Sequence, residues 1–247
     1  MYCRSRKQLW RSRGLIIYKL QQSTAILFFS RSASAEARQK RLFAPYKANK
    51  KIYTAFISQT QKIINQTGLP HFILNEEQQL GNSFGQKLSN GIQSIFSKGF
   101  NNVIVLGNDC LQIDANTINT AASSLVAHNL VLGPTPQGGV YVIGVTHAGF
   151  AAIDFEQIPW QSPSVFEELK NIAGADSCKC LQVLADINTR YDVLGIKNYV
   201  SKQNRILKLI TTILSSLVKK ESYCFIIPYN FYKFQYTGIP PPQPFYF

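Results

Sequence analysis

No apolar run in these 247 residues is long enough to cross a bilayer, so no membrane-spanning helix is expected. Acids are scarce: 13 Asp and Glu stand against 26 Lys and Arg, giving a formal net charge of +13. The imbalance is local. Residues 1–50 hold twelve Lys and Arg and a single acid, Glu36, while residues 51–247 hold fourteen and twelve. A nucleic-acid-binding domain should carry its basic residues on a folded face, so this distribution argues against one. Histidine is limited to His71, His128 and His147, and the five cysteines (Cys3, Cys110, Cys178, Cys180, Cys224) show no repeated pairing. A structural zinc site is therefore not expected, and reduced thiols in a cytoplasmic protein are.

The hydrophobic content is 45%, which is that of a globular protein. The length suits one α/β domain with a substantial core. Residues 1–23 read as a basic arm. Arg4 to Arg13 precede Gly14-Leu15-Ile16-Ile17-Tyr18, but the run is short and Lys19 interrupts it, unlike a signal peptide. The domain is expected over 24–202, followed at 203–247 by an apolar helix and a tail with ten Phe/Tyr residues between Ser222 and Phe247.

Strands and helices alternate along the middle of the chain. Ala25–Phe29 reads as the first strand, followed by a polar loop through Glu36, Arg38, Lys40 and Arg41. Residues 46–66 place Ile52, Tyr53, Phe56, Ile57, Ile63 and Ile64 on one helical face, stopped by Thr67-Gly68-Leu69-Pro70. A short strand at His71–Leu74, a helix over Phe84–Phe96 and a strand at Val103–Leu106 follow. Asp114 is placed to cap a helix reaching about His128, with Ile118, Ala122, Leu125 and Val126 inward. Leu130–Leu132, the glycine-led Gly138–Gly144 and Cys180–Leu184 read as strands, the last ending at Asp186. Helices are expected from about Pro163 to Ala173, over Tyr191–Lys202 and over 206–218. The alternation predicts a Rossmann-like α/β fold, a mostly parallel sheet flanked by helices.

The junction of Val103-Ile104-Val105-Leu106 with Gly107-Asn108-Asp109-Cys110 carries the most chemistry. In open α/β sheets ligands collect at the carboxyl ends of strands, where Asp109 would stand; turn capping is the alternative. Four segments in order are Gly107-Asn108-Asp109-Cys110, Gly138-Gly139-Val140-Tyr141-Val142-Ile143-Gly144, Ile158-Pro159-Trp160-Gln161-Ser162-Pro163 and Ala185-Asp186-Ile187-Asn188-Thr189. With Phe28-Phe29-Ser30-Arg31, Lys40-Arg41-Leu42 and Gly81-Asn82-Ser83-Phe84-Gly85, they resemble a bacterial glycosyltransferase-A-like family of the radical-SAM/selenodomain-associated transferase type, over roughly residues 25–200.

That resemblance implies a nucleotide-diphospho-sugar transferase fold, a nucleotide-sugar or nucleotide as partner, and Mg²⁺ or Mn²⁺ as cofactor. It points to a glycosyltransferase, with a nucleotidyltransferase of the same fold as the alternative. Asp109 and Asp186 are the expected metal ligands, since a departing diphosphate needs a cation held by carboxylates. Arg41, and less so Lys40, are expected at phosphate, with Gly138 and Gly139 allowing close backbone approach. Trp160 and Ser162 are expected on the sugar or acceptor side, against packing and helix capping as alternatives. No catalytic base is identifiable. The chain departs from the family pattern where Asn108 and Leu111 replace Ser and Pro, and where Gln137 and Asn188 replace acids. Amides do not neutralise a cation as carboxylates do, which opens a third reading: a catalytically weakened binding or scaffold protein.

Overall fold

The computed structural model describes residues 23–43, 45–174, 176–195 and 205–218. The basic arm up to residue 22, Cys3, Cys224, the end of the helix expected over 191–202 and the aromatic tail lie outside the described residues.

Six strands form one sheet: β1 (Thr24–Phe29), β2 (His71–Leu74), β3 (Asn102–Leu106), β4 (Leu130–Pro134), β5 (Val140–Thr146) and β6 (Cys178–Cys180). Their order across the sheet is β2-β1-β3-β5-β4-β6. β1 runs parallel to β2 and β3, and β4 parallel to β6, while β5 is antiparallel to both of its neighbours. Five strands thus share one direction, as the mostly parallel expectation required. The reversal of β5 follows from its five-residue connection to β4, too short for a crossover.

Eight helices are described: α1 (Ala33–Gln39), α2 (Tyr46–Thr67), α3 (Phe84–Phe96), α4 (Ala115–Ser124), α5 (His147–Ala152), α6 (Val165–Ala173), α7 (Arg190–Gly195) and α8 (Arg205–Val218). Successive residues of a strand face opposite sides, and the cores follow that parity. Leu27, Val103, Val105, Leu132 and Val145 face α3 and α6 through Leu88, Ile92, Ile95 and Leu169. Ile26, Phe28, Ile104, Leu106 and Val131 face α2 and α4 through Ile63, Ile64, Ile118 and Ala122. With both faces covered, the central strands read as unbroken apolar runs.

A third cluster joins Ala37 of α1, Leu42, Phe43, Ile52, Tyr53 and Phe56 of α2, Ile187, Val193 of α7, and Ile206, Ile210 and Ile213 of α8. It pins the chain on both sides of Lys40–Arg41, and at Ile187 and Val193 it holds the segment that carries Asp186 and Asn188. Inside it, the Asn49 side chain bonds both the N–H and the C=O of Phe43, each at 2.8 Å.

Three local expectations are corrected. The polar loop after β1 contains α1, whose N-cap Ser32 accepts from the Ala35 N–H at 3.2 Å. Residues Ala33, Ala35 and Ala37 supply helix propensity that the flanking charges masked. α4 ends at Ser124, well short of His128, and Val126 is exposed. β6 covers only Cys178–Cys180, and the segment 181–188 that reaches Asp186 runs on without a strand ladder, Val183 being exposed.

Candidate active site

The edge of the sheet where β1, β3 and β4 end carries Ser30, Asn108-Asp109 and the turn 135–139. Asn108 is buried and its amide donates to the Ser30 hydroxyl at 2.7 Å, tying the ends of β1 and β3 together. Asp109 follows. Its carbonyl accepts from the Ile187 N–H at 3.0 Å, which draws the extended 181–188 segment over the end of β3. Ala185 N–H donates to the Gln112 side chain at 2.8 Å and fixes the same segment from the other side.

These anchors bring four polar side chains together. Lys40 Nζ lies 3.2 Å from Asp109 Oδ2 and donates to Asn188 Oδ1 at 2.8 Å. Asn188 Nδ2 in turn donates to Asp186 Oδ2 at 2.7 Å. Asp186 Oδ1 is buried without a hydrogen-bond partner. Glu36, buried on α1, is the third carboxylate of the neighbourhood, with Arg31 Nη1 3.8 Å from its Oε2.

Burial by itself would lower the Lys40 ammonium, but the charges of Asp109, Glu36 and Asp186 outweigh it and hold its pKa above the ordinary value. Burial raises the Asp186 carboxyl, and the neighbouring Asp109 charge adds to that rise. Burial likewise raises Glu36 against the opposing pull of Lys40 and Arg31.

The residues singled out in the sequence thus divide. Lys40, Asp109 and Asp186 converge, although they are far apart in the chain. Arg41 does not join them: it is exposed and lines a small cavity of about 210 Å³ with Ala37, Arg38, Tyr46 and Asn49. Gly138 and Gly139 form the β4–β5 turn, where Gly138 N–H donates to Thr135 C=O at 3.1 Å. Trp160 packs on the core, its indole N–H donating to Phe155 C=O at 2.7 Å and its ring 6.3 Å from that of Phe155 at 10°. Ser162 pairs its hydroxyl with that of Ser164 at 2.8 Å, and Ser164, not Ser162, is the N-cap of α6. Asn188 and Glu36 are the members that sequence reading missed as contributors. Asn188 stood out only as a departure from a family pattern, and Glu36 only as the lone acid of residues 1–50.

A divalent ion fits this donor set poorly. Mg²⁺ and Mn²⁺ take about six oxygens, with at least one or two carboxylates free to face them. Here Lys40 sits on Asp109 Oδ2 and the Asn188 amide on Asp186 Oδ2, so each carboxylate already has one oxygen engaged, and Asp186 Oδ1 is buried. Among the described residues no group of three or more His, Cys, Asp and Glu side chains is arranged to hold a metal.

Residues 46–162 match the model of a family described as an uncharacterized protein conserved in bacteria, DUF2064. A solved structure from Desulfovibrio desulfuricans G20, proposed to be a nucleotide-diphospho-sugar transferase, superposes with a TM-score of 0.66 at 17% identity, over 81% of this chain and 98% of that one. The fold is that of the nucleotide-diphospho-sugar transferases. Two more distant structures are similar at TM-scores below 0.5 and add no weight to that assignment. A 4-diphosphocytidyl-2C-methyl-D-erythritol synthase from Anaerococcus prevotii matches at 0.47 and 8% identity, over 73% of this chain and 98% of that one. A Mycobacterium tuberculosis glucosyl-3-phosphoglycerate synthase, solved with Mn²⁺ and UDP, matches at 0.40 and 12% identity, over 83% of each chain. No curated protein matches the chain. Among the described residues no helix is long and apolar enough to cross a membrane.

Proposed function

We propose that this protein transfers a glycosyl group from a nucleotide-activated sugar, with the donor diphosphate in the cleft of Lys40, Asp109, Asn188 and Asp186. The unit that carries the reaction is residues 24–202. One observation supports the reading above others: a partly buried ammonium, held by acids at the carboxyl edge of an α/β sheet, where such sheets bind ligands. Glycosyl transfer breaks the bond between the anomeric carbon and the diphosphate and forms one from the acceptor oxygen to that carbon. Negative charge grows on the leaving diphosphate, and a positioned cation lowers the barrier to its departure. Among the described residues, Lys40 is a cation placed for that task. Mg²⁺ or Mn²⁺, the cofactor implied by family resemblance, would meet Lys40 already in place on Asp109 Oδ2.

The reading is tested by measuring nucleoside diphosphate release from a panel of nucleotide-sugars. Release from at least one donor is expected, falling at least tenfold in Asp109→Asn. Pyrophosphate release from a nucleoside triphosphate in its place would make the protein a nucleotidyltransferase. Silence in both assays would favour the binding or scaffold reading.

A further inference from the structure

We infer that the Lys40 ammonium takes the place of the divalent cation in this cleft, so that a nucleoside diphosphate binds here without Mg²⁺ or Mn²⁺. The inference rests on the nucleotide reading of the cleft and specifies how that cleft neutralises phosphate.

The position of the ammonium is fixed by its backbone. Lys40 caps the end of α1, its N–H donating to Glu36 C=O at 2.8 Å, and its own carbonyl accepts from the Tyr53 hydroxyl at 3.3 Å. Leu42, two residues on, is 1% exposed in the third core cluster. The side chain therefore leaves an anchored segment and ends on Asp109 and Asn188, each of which is anchored in its own right. A side chain ordered in advance loses little freedom when a ligand arrives.

The donor count leaves room for a ligand. An ammonium has three N–H donors; Asp109 Oδ2 and Asn188 Oδ1 take two of them. The third can meet a phosphate oxygen without breaking either bond, and an ammonium binds phosphate as a point charge. Lys40 is about 30% exposed at its side chain, so the cation is open to solvent on one side.

Lys40 also holds the place a metal would need. Asp109, Asp186 and Glu36 surround Lys40, with Arg31 beside Glu36. A metal ion that entered with Lys40 in place would face a like charge on the carboxylate it needs, and one that expelled Lys40 would forfeit the ion pair and the Asn188 bond. Asn188 completes the arrangement: its carbonyl oxygen accepts from the ammonium while its amide donates to Asp186. An Asp at that position would offer no N–H to Asp186 and would place two carboxylates against one another. The amide is the side chain that suits a lysine-filled site.

Calorimetry of the full-length protein against UDP, GDP, CDP and ADP, in EDTA and in Mn²⁺, tests the inference. At least one nucleotide should bind in EDTA, and adding Mn²⁺ should change its affinity by less than about threefold. Lys40→Met should weaken binding in EDTA by roughly ten- to a hundredfold, the worth of one charge-assisted hydrogen bond. Mn²⁺ should restore part of that loss, because Asp109 is released to bind a metal. A nucleotide that binds the unmodified protein only with Mn²⁺ overturns the inference and leaves the nucleotide cleft standing, and this comparison needs no variant to fold. Lys40→Met binding as tightly as the parent in EDTA overturns it too. If no nucleotide binds in either buffer, the reading of the cleft falls and takes the inference with it.

Discussion

Replacing Gly138 by Ala separates a ligand-facing glycine from a packed one. Gly138 sits at φ +82°, in the left-handed region, where a side chain costs about 1–2 kcal/mol. A Cβ built there would lie 1.9 Å from the carbonyl oxygen of Pro163, so the 158–165 segment must move. Forced overpacking of this kind costs roughly 1–3 kcal/mol. The Gly138 carbonyl also accepts from the Phe166 N–H at 2.9 Å, and that bond to the start of α6 would stretch as the segment shifts. Together these give about 2–5 kcal/mol, or roughly 5–15 °C in Tm for a domain of this size. Gly139→Ala is the internal control, since its Cβ would meet nothing nearer than Thr135 Oγ1 at 3.2 Å. Thermal and urea denaturation of both variants check the argument. Equal melting temperatures for Gly138→Ala and Gly139→Ala would refute it, and would return Gly138 to the phosphate-binding role that its sequence context suggests.

Two further outcomes follow from burial. Because burial raises the Glu36 carboxyl, the folded state holds that proton more tightly than the unfolded one. Its contribution to stability is then lost as pH rises upward from the ordinary carboxylate range. Glu36→Gln should melt at pH 7 no lower than the parent and show a shallower fall in Tm above about pH 4.5; a variant that keeps the full slope would disprove the assignment. The Cys110 thiol is buried and pushed up to about 12 by that burial, whereas Cys180 is exposed. Iodoacetamide at neutral pH should label Cys180 and spare Cys110 in native protein, read by peptide mass mapping, and comparable labelling of the two would contradict the packing.

The buried strands were legible because a strand covered on both faces needs no alternation: Val103 to Leu106 announces itself by composition alone. Helix ends with chemical caps were legible too, as with Asp114, whose carboxylate accepts from the Thr117 N–H at 2.7 Å. The direction of β5 was present in the short turn before it, yet a run of apolar residues carries no arrow. The site was legible only in part. Asp109 and Asp186 stood at chain positions that strand ends made suggestive. Lys40 looked like surface charge, because the groups that desolvate and pair it lie 69 and 148 residues away. No local pattern records a long-range ion pair. Sequence ranks Arg41 above Lys40 at phosphate, but which of two adjacent cations turns inward depends on the backbone at the end of α1.

The span of those contacts bears on how the protein is made. During synthesis Lys40 leaves the ribosome 148 residues ahead of Asn188, an interval of roughly 7–30 s at about 5–20 residues per second. Through that interval β1 to β5 can assemble while Lys40 and Asp109 wait without Asn188 and Asp186. A nascent chain halted after β5 would carry most of the sheet and an unfinished cleft. Capture of a nucleoside diphosphate would accordingly report that the chain has been translated past residue 188 and folded back over the end of β3.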